Sequence, residues 1–412
     1  MASARRSPLS LFLLLGLGAG IVILVWWLQQ QRPAAVATAT LVPSQYADLP
    51  GWNASDVRPA LEAFRRSCAV IVHAMPQSRL GANGYAGTDA DWQKVCGALP
   101  SSTPTLSGAR AFFETTFAPV EIRPAPSSAL FTGYYEPELV ASRTHHGAYR
   151  TPIYGPPPNL VTVDLGAFRD RYKGQHLDGC LSGHRLLPCA TRAEIDAGGL
   201  PGAPVLFYAN DPVSVFFLHI QGSGRARLEN GEMVRVAYAG QNGRPYTSVA
   251  RTLIAQGLLP RDGMSLQAIR AWMKANPRQA PAVMETDQSF IFFEEQPLGN
   301  PALGSAGSEG VPLTPRASLA VDQRVHPLGA PFYVAATRPG DAGGKDVAFD
   351  QLLIAQDTGG AIRGPARGDV FWGFGPTAEA IAGRMKSTGR MFVLLPKPVV
   401  QRLHPGMKVS AP

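Results

Sequence analysis

The stretch Ala355-Gln356-Asp357-Thr358-Gly359-Gly360-Ala361-Ile362-Arg363-Gly364-Pro365-Ala366-Arg367-Gly368-Asp369-Val370-Phe371-Trp372-Gly373 decides how this 412-residue chain is read. It sets two aspartates at strand edges. Asp357 closes the apolar run Leu352–Ala355, and Asp369 leads into Val370-Phe371-Trp372. Small residues beside each permit close backbone approach. A third aspartate, Asp322, follows the strand-like Leu319-Ala320-Val321. Three acids so placed can converge on one rim, where carboxyl groups serve acid–base chemistry. The competing reading is turn chemistry, because aspartate beside glycine often caps turns.

Composition agrees with a β-rich, turn-rich globule. Gly 43 and Pro 37 together make about a fifth of the chain, and charged residues only 17%. Those values exclude a coiled coil, a helical bundle and a highly charged disordered chain. Hydrophobics at 45% supply a core. Helical patterns open at Ser55-Asp56 and recur at Asp89–Cys96, Ser107–Phe117, Ser248–Gln256, Ser265–Lys274 and Thr377–Lys386. Strands are expected at Leu130–Pro137, Val213–Ile220, Met233–Ala239, Phe290–Phe293, Leu319–Val321, Phe332–Ala336, Leu352–Ala355 and Met391–Leu395. The plan is a long central insertion between β-rich ends.

The first 31 residues stand apart. Arg5 and Arg6 precede the unbroken apolar run Leu11–Leu28, about 27 Å long as a helix, close to the hydrocarbon thickness of a bilayer. Trp26 and Trp27 suit the interface, and the leading positive charge keeps the amino terminus cytoplasmic. A cleaved signal peptide is the rival, with Ala35-Val36-Ala37 as its cleavage site. Either way the remainder is exported, behind a linker over 32–45. Four cysteines, Cys68, Cys96, Cys180 and Cys189, fit that compartment as disulfides. Three pairings are possible, and proximity favours Cys68–Cys96 with Cys180–Cys189. Their spacing does not suit zinc. The net charge of +8 is spread without a basic block, so nucleic acid is not an expected partner; anionic envelope polymers are.

Several ordered blocks resemble a known family. Ala320-Val321-Asp322, Ala355–Gly364 and Gly368–Gly373 look like the three-aspartate, or 3D, domain. Upstream, Phe131-Thr132-Gly133-Tyr134-Tyr135-Glu136-Pro137 and His219-Ile220-Gln221-Gly222-Ser223-Gly224 resemble the membrane-bound lytic murein transglycosylase A family, as do Asn276-Pro277 and Leu313–Asp322. The resemblance implies a mainly β fold with peripheral helices (α+β). A double-psi β-barrel would form from residues 46–135 and 286–400, with the 3D motif in 318–395. A smaller β domain, 136–285, would form the other wall of a glycan groove. It implies cleavage of the β-1,4 bond between N-acetylmuramic acid and N-acetylglucosamine, leaving a 1,6-anhydromuramic end, with no metal or organic cofactor. The expected partners are peptidoglycan strands and, through the amino-terminal segment, a membrane; a monomer is expected. Asp369 maps to the catalytic acid, with Asp357 and Asp322 as its structural or supporting partners; Asp357 is the alternative acid. Thr132, Gly133, Tyr134, Tyr135, Gln221, Gly222, Ser223, Gly224 and Asp322 are expected along the substrate.

Chemistry gives an independent constraint. Ordinary glycosidases use two carboxyl groups. If the sugar's own C6 hydroxyl attacks, one carboxyl can act first as acid and then as base. At an ordinary pKa of about 3.9, roughly one aspartate in a thousand is protonated at neutral pH, so the acid must be pushed up by burial or a like charge. Two other classes fit the same sequence: a non-catalytic expansin- or barwin-like wall-binding module, and a hydrolase pairing Asp369 with Asp357. His145, His146 and His219 read as solvated or core residues, and no phosphate loop or GxSxG elbow occurs.

Overall fold

The computed structural model describes residues 37–102, 105–125, 128–169, 172, 175–404 and 406–410. The apolar Leu11–Leu28 run lies outside them, and among the described residues no helix is long and apolar enough to cross a membrane.

Six strands close into a barrel. Around the ring run Pro331–Arg338, Val347–Asp357, Ser318–Val321, Arg367–Phe374, Ala129–Glu136 and Lys386–Pro396, and the last pairs back onto the first through Phe332↔Val393. Two contacts are parallel, Ser318–Val321 with Val347–Asp357 and Arg367–Phe374 with Ala129–Glu136. Closure removes the exposed edges that an open sheet of this size would present. Strands Phe117–Ala125, Thr38–Pro43 and Lys408–Ser410 extend the sheet from Lys386–Pro396. The barrel thus takes one strand from before the central insertion and five from after it.

Local sequence explains the helices packed on the barrel. Helix Arg58–Ile71 carries Pro59 in its first turn, where a missing N–H is no loss. It buries Ala60, Leu61, Phe64, Ser67, Cys68 and Ile71 on one stripe. Thr88 and Asp91 form a reciprocal capping box on helix Asp89–Gly97. The Cys68–Cys96 disulfide joins these two helices. Phe64 meets Phe112, Phe113 and Phe117 at centroid distances of 5.6–6.4 Å, which locks helix Leu106–Thr116 to the same core.

The insertion builds a second sheet in the order Ile291–Pro297, Met233–Gln241, Gly224–Leu228, Glu138–Ser142, Val205–Ala209, Thr151–Tyr154. Ile291–Pro297 still belongs to that sheet, so it runs past residue 285, where the sequence placed its end. A three-stranded sheet, Leu160–Asp164, His176–Ser182 and Arg185–Leu187, carries the Cys180–Cys189 disulfide. The fold is mainly β with peripheral helices, as expected.

One element differs in kind. Val213–Ile220, expected as a strand, lies within helix Pro212–Gln221. Asp211 caps it by accepting from the Val213 N–H at 3.0 Å, Pro212 opens the first turn and Gly222 closes it at φ +82°. The run shows no helical period because both sides are covered. Val215 and Leu218 face the second sheet, while Val213, Phe216 and Phe217 join helices Val249–Ala255 and Leu266–Ala275.

Candidate active site

Strand register assembles the site. Ala320 pairs with both Asp357 and Asp369, Asp369 pairs with Thr132, and Thr132 pairs with Lys386. These five residues form one row across adjacent strands, so their side chains share a face. Two strand spacings, about 10 Å, separate the Asp357 and Asp369 backbones, with Ala320 on the strand between them.

The two carboxyl groups are held differently. Asp357 Oδ1 accepts from the Ser308 N–H at 3.0 Å, the Ser308 hydroxyl at 2.8 Å and the Thr358 N–H at 2.9 Å, while Oδ2 accepts from the Tyr134 hydroxyl at 2.8 Å. Burial pushes its pKa up against those four donors. Asp369 Oδ1 accepts a single bond, from the Thr132 hydroxyl at 2.5 Å. Its Oδ2 meets no donor among the described residues. Burial raises the Asp369 pKa, opposed by the Arg367 charge and the Thr132 hydrogen bond and assisted by the negative Asp357. Burial and Asp357 likewise hold the Tyr134 hydroxyl well above its usual range, so it remains a donor.

Alternation along Ala129–Glu136 divides the quartet expected to line the substrate. Thr132 and Tyr134 lie on the carboxyl face, with Tyr134 against Phe371 at 5.2 Å. Gly133 and Tyr135 face the other way. A Cβ on Gly133 would stand 2.6 Å from Trp372 and 2.9 Å from Ala382, so this glycine lets helix Gly375–Ala382 close on the strand. Tyr135 is buried, and its hydroxyl receives Arg270 at 3.2 Å. Gly133 and Tyr135 thus pack on the side of the strand away from the carboxyl row.

Asp322 and the Gln221–Gly224 segment are engaged within the protein. Asp322 is fully buried, accepting two bonds from the Arg324 guanidinium at 2.9 and 2.7 Å and one from the Gly364 N–H at 2.8 Å. Its oxygens hold the turn before Asp369. The Gln221–Gly224 segment ends a helix instead of a strand. Gln221 accepts from the Tyr135 N–H at 3.0 Å, tying that helix to the barrel strand. A Cβ on Gly224 would stand 2.7 Å from the Pro137 carbonyl, so its close approach is to the chain itself. Gly222 and Ser223 are half-buried at the same crossing.

Three contributors escaped the sequence reading. Ser308 sits in a Gly/Ser loop far from Asp357 in sequence, with no local signal. Glu136 is buried with Arg225 at 3.0 Å and Arg235 at 2.9 Å, joining the barrel to the second sheet. Arg367 precedes Asp369 by one strand repeat, and that spacing alone places both on one face. Among the described residues no cluster of His, Cys, Asp and Glu suits a metal ion.

The chain is similar to known proteins over most of its length. Residues 130–294 match the model described as the MltA specific insert domain, and residues 317–395 match the 3D domain. The chain is 33% identical to the membrane-bound lytic murein transglycosylase A of Escherichia coli (strain K12) over 271 residues, 65% of this chain and 66% of that one. The crystal structure of membrane-bound lytic murein transglycosylase from Agrobacterium tumefaciens superposes with a TM-score of 0.76 at 32% identity, covering 88% of this chain and 99% of that chain. That of E. coli MltA with bound chitohexaose gives 0.60 at 27%, covering 89% and 93%. The chain belongs to the membrane-bound lytic murein transglycosylase A family, a class of peptidoglycan lytic transglycosylases.

Proposed function

We propose that this protein cleaves the β-1,4 bond between N-acetylmuramic acid and N-acetylglucosamine in peptidoglycan, leaving a 1,6-anhydromuramic end, with Asp369 as the only acid and base. The observation that carries this is the contrast in carboxyl occupancy. Asp357 already accepts from four donors and has little capacity left to activate water or attack carbon. Asp369 has one oxygen without a donor among the described residues. A single available carboxyl suits a reaction in which the substrate supplies its own nucleophile, whereas the two-carboxyl routes need both groups.

The steps balance on Asp369. Its protonated oxygen gives the proton to the glycosidic oxygen as the C1–O bond breaks. The resulting carboxylate then takes the proton of the C6 hydroxyl as that oxygen bonds to C1. Asp357 contributes a fixed negative charge that keeps the acid protonated and favours a positive oxocarbenium-like centre nearby. The glycan complex of the E. coli relative supports a saccharide as the ligand class. We further place the protein in the periplasm, anchored through residues 1–31, on the apolar Leu11–Leu28 run.

Mass spectrometry of digested sacculi tests the chemistry. Anhydro ends are expected, and reducing ends instead would establish the hydrolase. Asp369→Asn should lower anhydro product by about 10²–10⁴-fold while glycan binding persists; undiminished turnover refutes the assignment.

A further inference from the structure

The Arg367 guanidinium does not meet Asp369 directly. Its Nη2 donates to the Thr132 hydroxyl oxygen at 2.6 Å, and its Nη1 to the carbonyls of Gly368 at 2.5 Å and Leu130 at 3.3 Å. Those carbonyls sit on the two parallel strands whose register brings Thr132 beside Asp369. A hydroxyl has one proton to give and two lone pairs, whereas a guanidinium can only donate. With Arg367 donating to it, the Thr132 proton has to turn elsewhere, and Asp369 Oδ1 receives it at 2.5 Å.

We infer that Arg367 is a positioning residue for Asp369, acting through Thr132 to commit Oδ1 as an acceptor and leave Oδ2 as the oxygen that gives and takes the glycosidic proton. This deepens the function proposed above and rests on it. Without Arg367, the Thr132 hydroxyl is free to accept, and the acid can then park its proton on Oδ1, turned into the protein. With Arg367 in place, a proton on Oδ1 would face another proton.

Groups from several strands face Asp369. Its own strand supplies Arg367, strand Ala129–Glu136 supplies Thr132 and Tyr134, strand Val347–Asp357 supplies Asp357, and Lys386 lies in register beyond Thr132. Strand Ser318–Val321 brings only Ala320. Arg367 and Thr132 both favour the carboxylate, so removing either should move the alkaline limb of kcat/KM to higher pH, because the acid form then persists further.

The test is the pH profile of anhydro-end release from glycan strands. Arg367→Met should lower kcat by roughly 10–100-fold, the cost of a misplaced reacting group, with KM little changed and the alkaline limb moved upward. Arg367→Lys keeps a charge and a donor and should hold the limb at its wild-type position. Should Arg367→Met fail to fold, Thr132→Val reads the same coupling one link closer and should move the limb in the same direction. A limb that stays in place in Thr132→Val, or a loss confined to KM in Arg367→Met, overturns the inference. Asp369→Asn keeps the two claims apart. If it still releases anhydro ends, the underlying mechanism is wrong; if it is inactive and the limbs do not move, only the relay is wrong.

Discussion

At Glu136 a carboxylate meets Arg225 and Arg235 directly, and all three side chains are buried. At Thr132, on the same strand, the carboxyl of Asp369 is separated from Arg367 by a hydroxyl. The first arrangement is saturated. Glu136 also accepts the Ser305 N–H, Arg225 stacks on Phe374 at 3.4 Å, and both arginines bond to the Leu303 carbonyl. The second leaves one oxygen open and the acid proton-prone. An arginine in contact fixes a charge for structure, whereas an arginine at one remove can orient an acid without quenching it.

Charge-removing substitutions should separate the two regions. Asp369→Asn is expected to abolish most activity while leaving the melting temperature near wild type. Glu136→Gln should do the reverse in kind: two buried guanidinium groups lose their counter-charge, at a cost of about 3–5 kcal/mol, read as a lowered denaturation midpoint. Equal midpoints for wild type and Glu136→Gln would remove the distinction.

A smaller effect concerns His326, which is fully buried. Its Nδ1 lies 2.6 Å from the Tyr85 hydroxyl and its Nε2 2.7 Å from the Pro365 carbonyl, at the turn before Arg367. Burial lowers its pKa from 6.5 to about 4. The folded state therefore favours the neutral ring. Its contribution to stability is complete above pH 6.5 and is lost as pH falls through about 4. Denaturation midpoints measured across that window should show the loss, and His326→Gln should flatten it.

The smallest effect is expected at Glu309, next to the Ser308 that holds Asp357. Burial raises its pKa from 4.5 to about 7, while Ser67 donates to it at 2.6 Å. Here the sign reverses. The contribution to stability is complete below pH 4.5 and is lost as pH rises through about 7. Glu309→Gln should gain on wild type in denaturant midpoint over that interval; a constant difference would show that the carboxyl does not titrate there.

Much of this is legible in the sequence. Helices with polar caps and one apolar stripe, such as Arg58–Ile71, were placed within a few residues because their period survives in the sequence. Both cysteine pairs were readable from proximity. Pro212–Gln221 was not, since a helix covered on all sides loses the polar face that reveals its period; the Asp211-Pro212 start and the Gly222 stop were the signals available. Asp357 and Asp369 were legible as a pair, but their unequal occupancy was not. That inequality depends on Ser308 and Tyr134, which reach Asp357 from separate parts of the chain. Asp322 looked equivalent to the other two because turn-holding and proton-handling aspartates share the same glycine-rich neighbourhood.

The Glu136 carboxylate also bears on how the molecule comes apart. It ends the strand by which the chain leaves the barrel, receives the Ser305 N–H on the return passage, and pairs with arginines from two neighbouring strands of the inserted sheet. Outgoing and returning passages are thus fastened at one point. Swinging the insertion outward would strand three ionic groups at once. Barrel and insertion should therefore melt as a single calorimetric transition, and a protease cut between Pro297 and Ser305 should leave the two pieces associated.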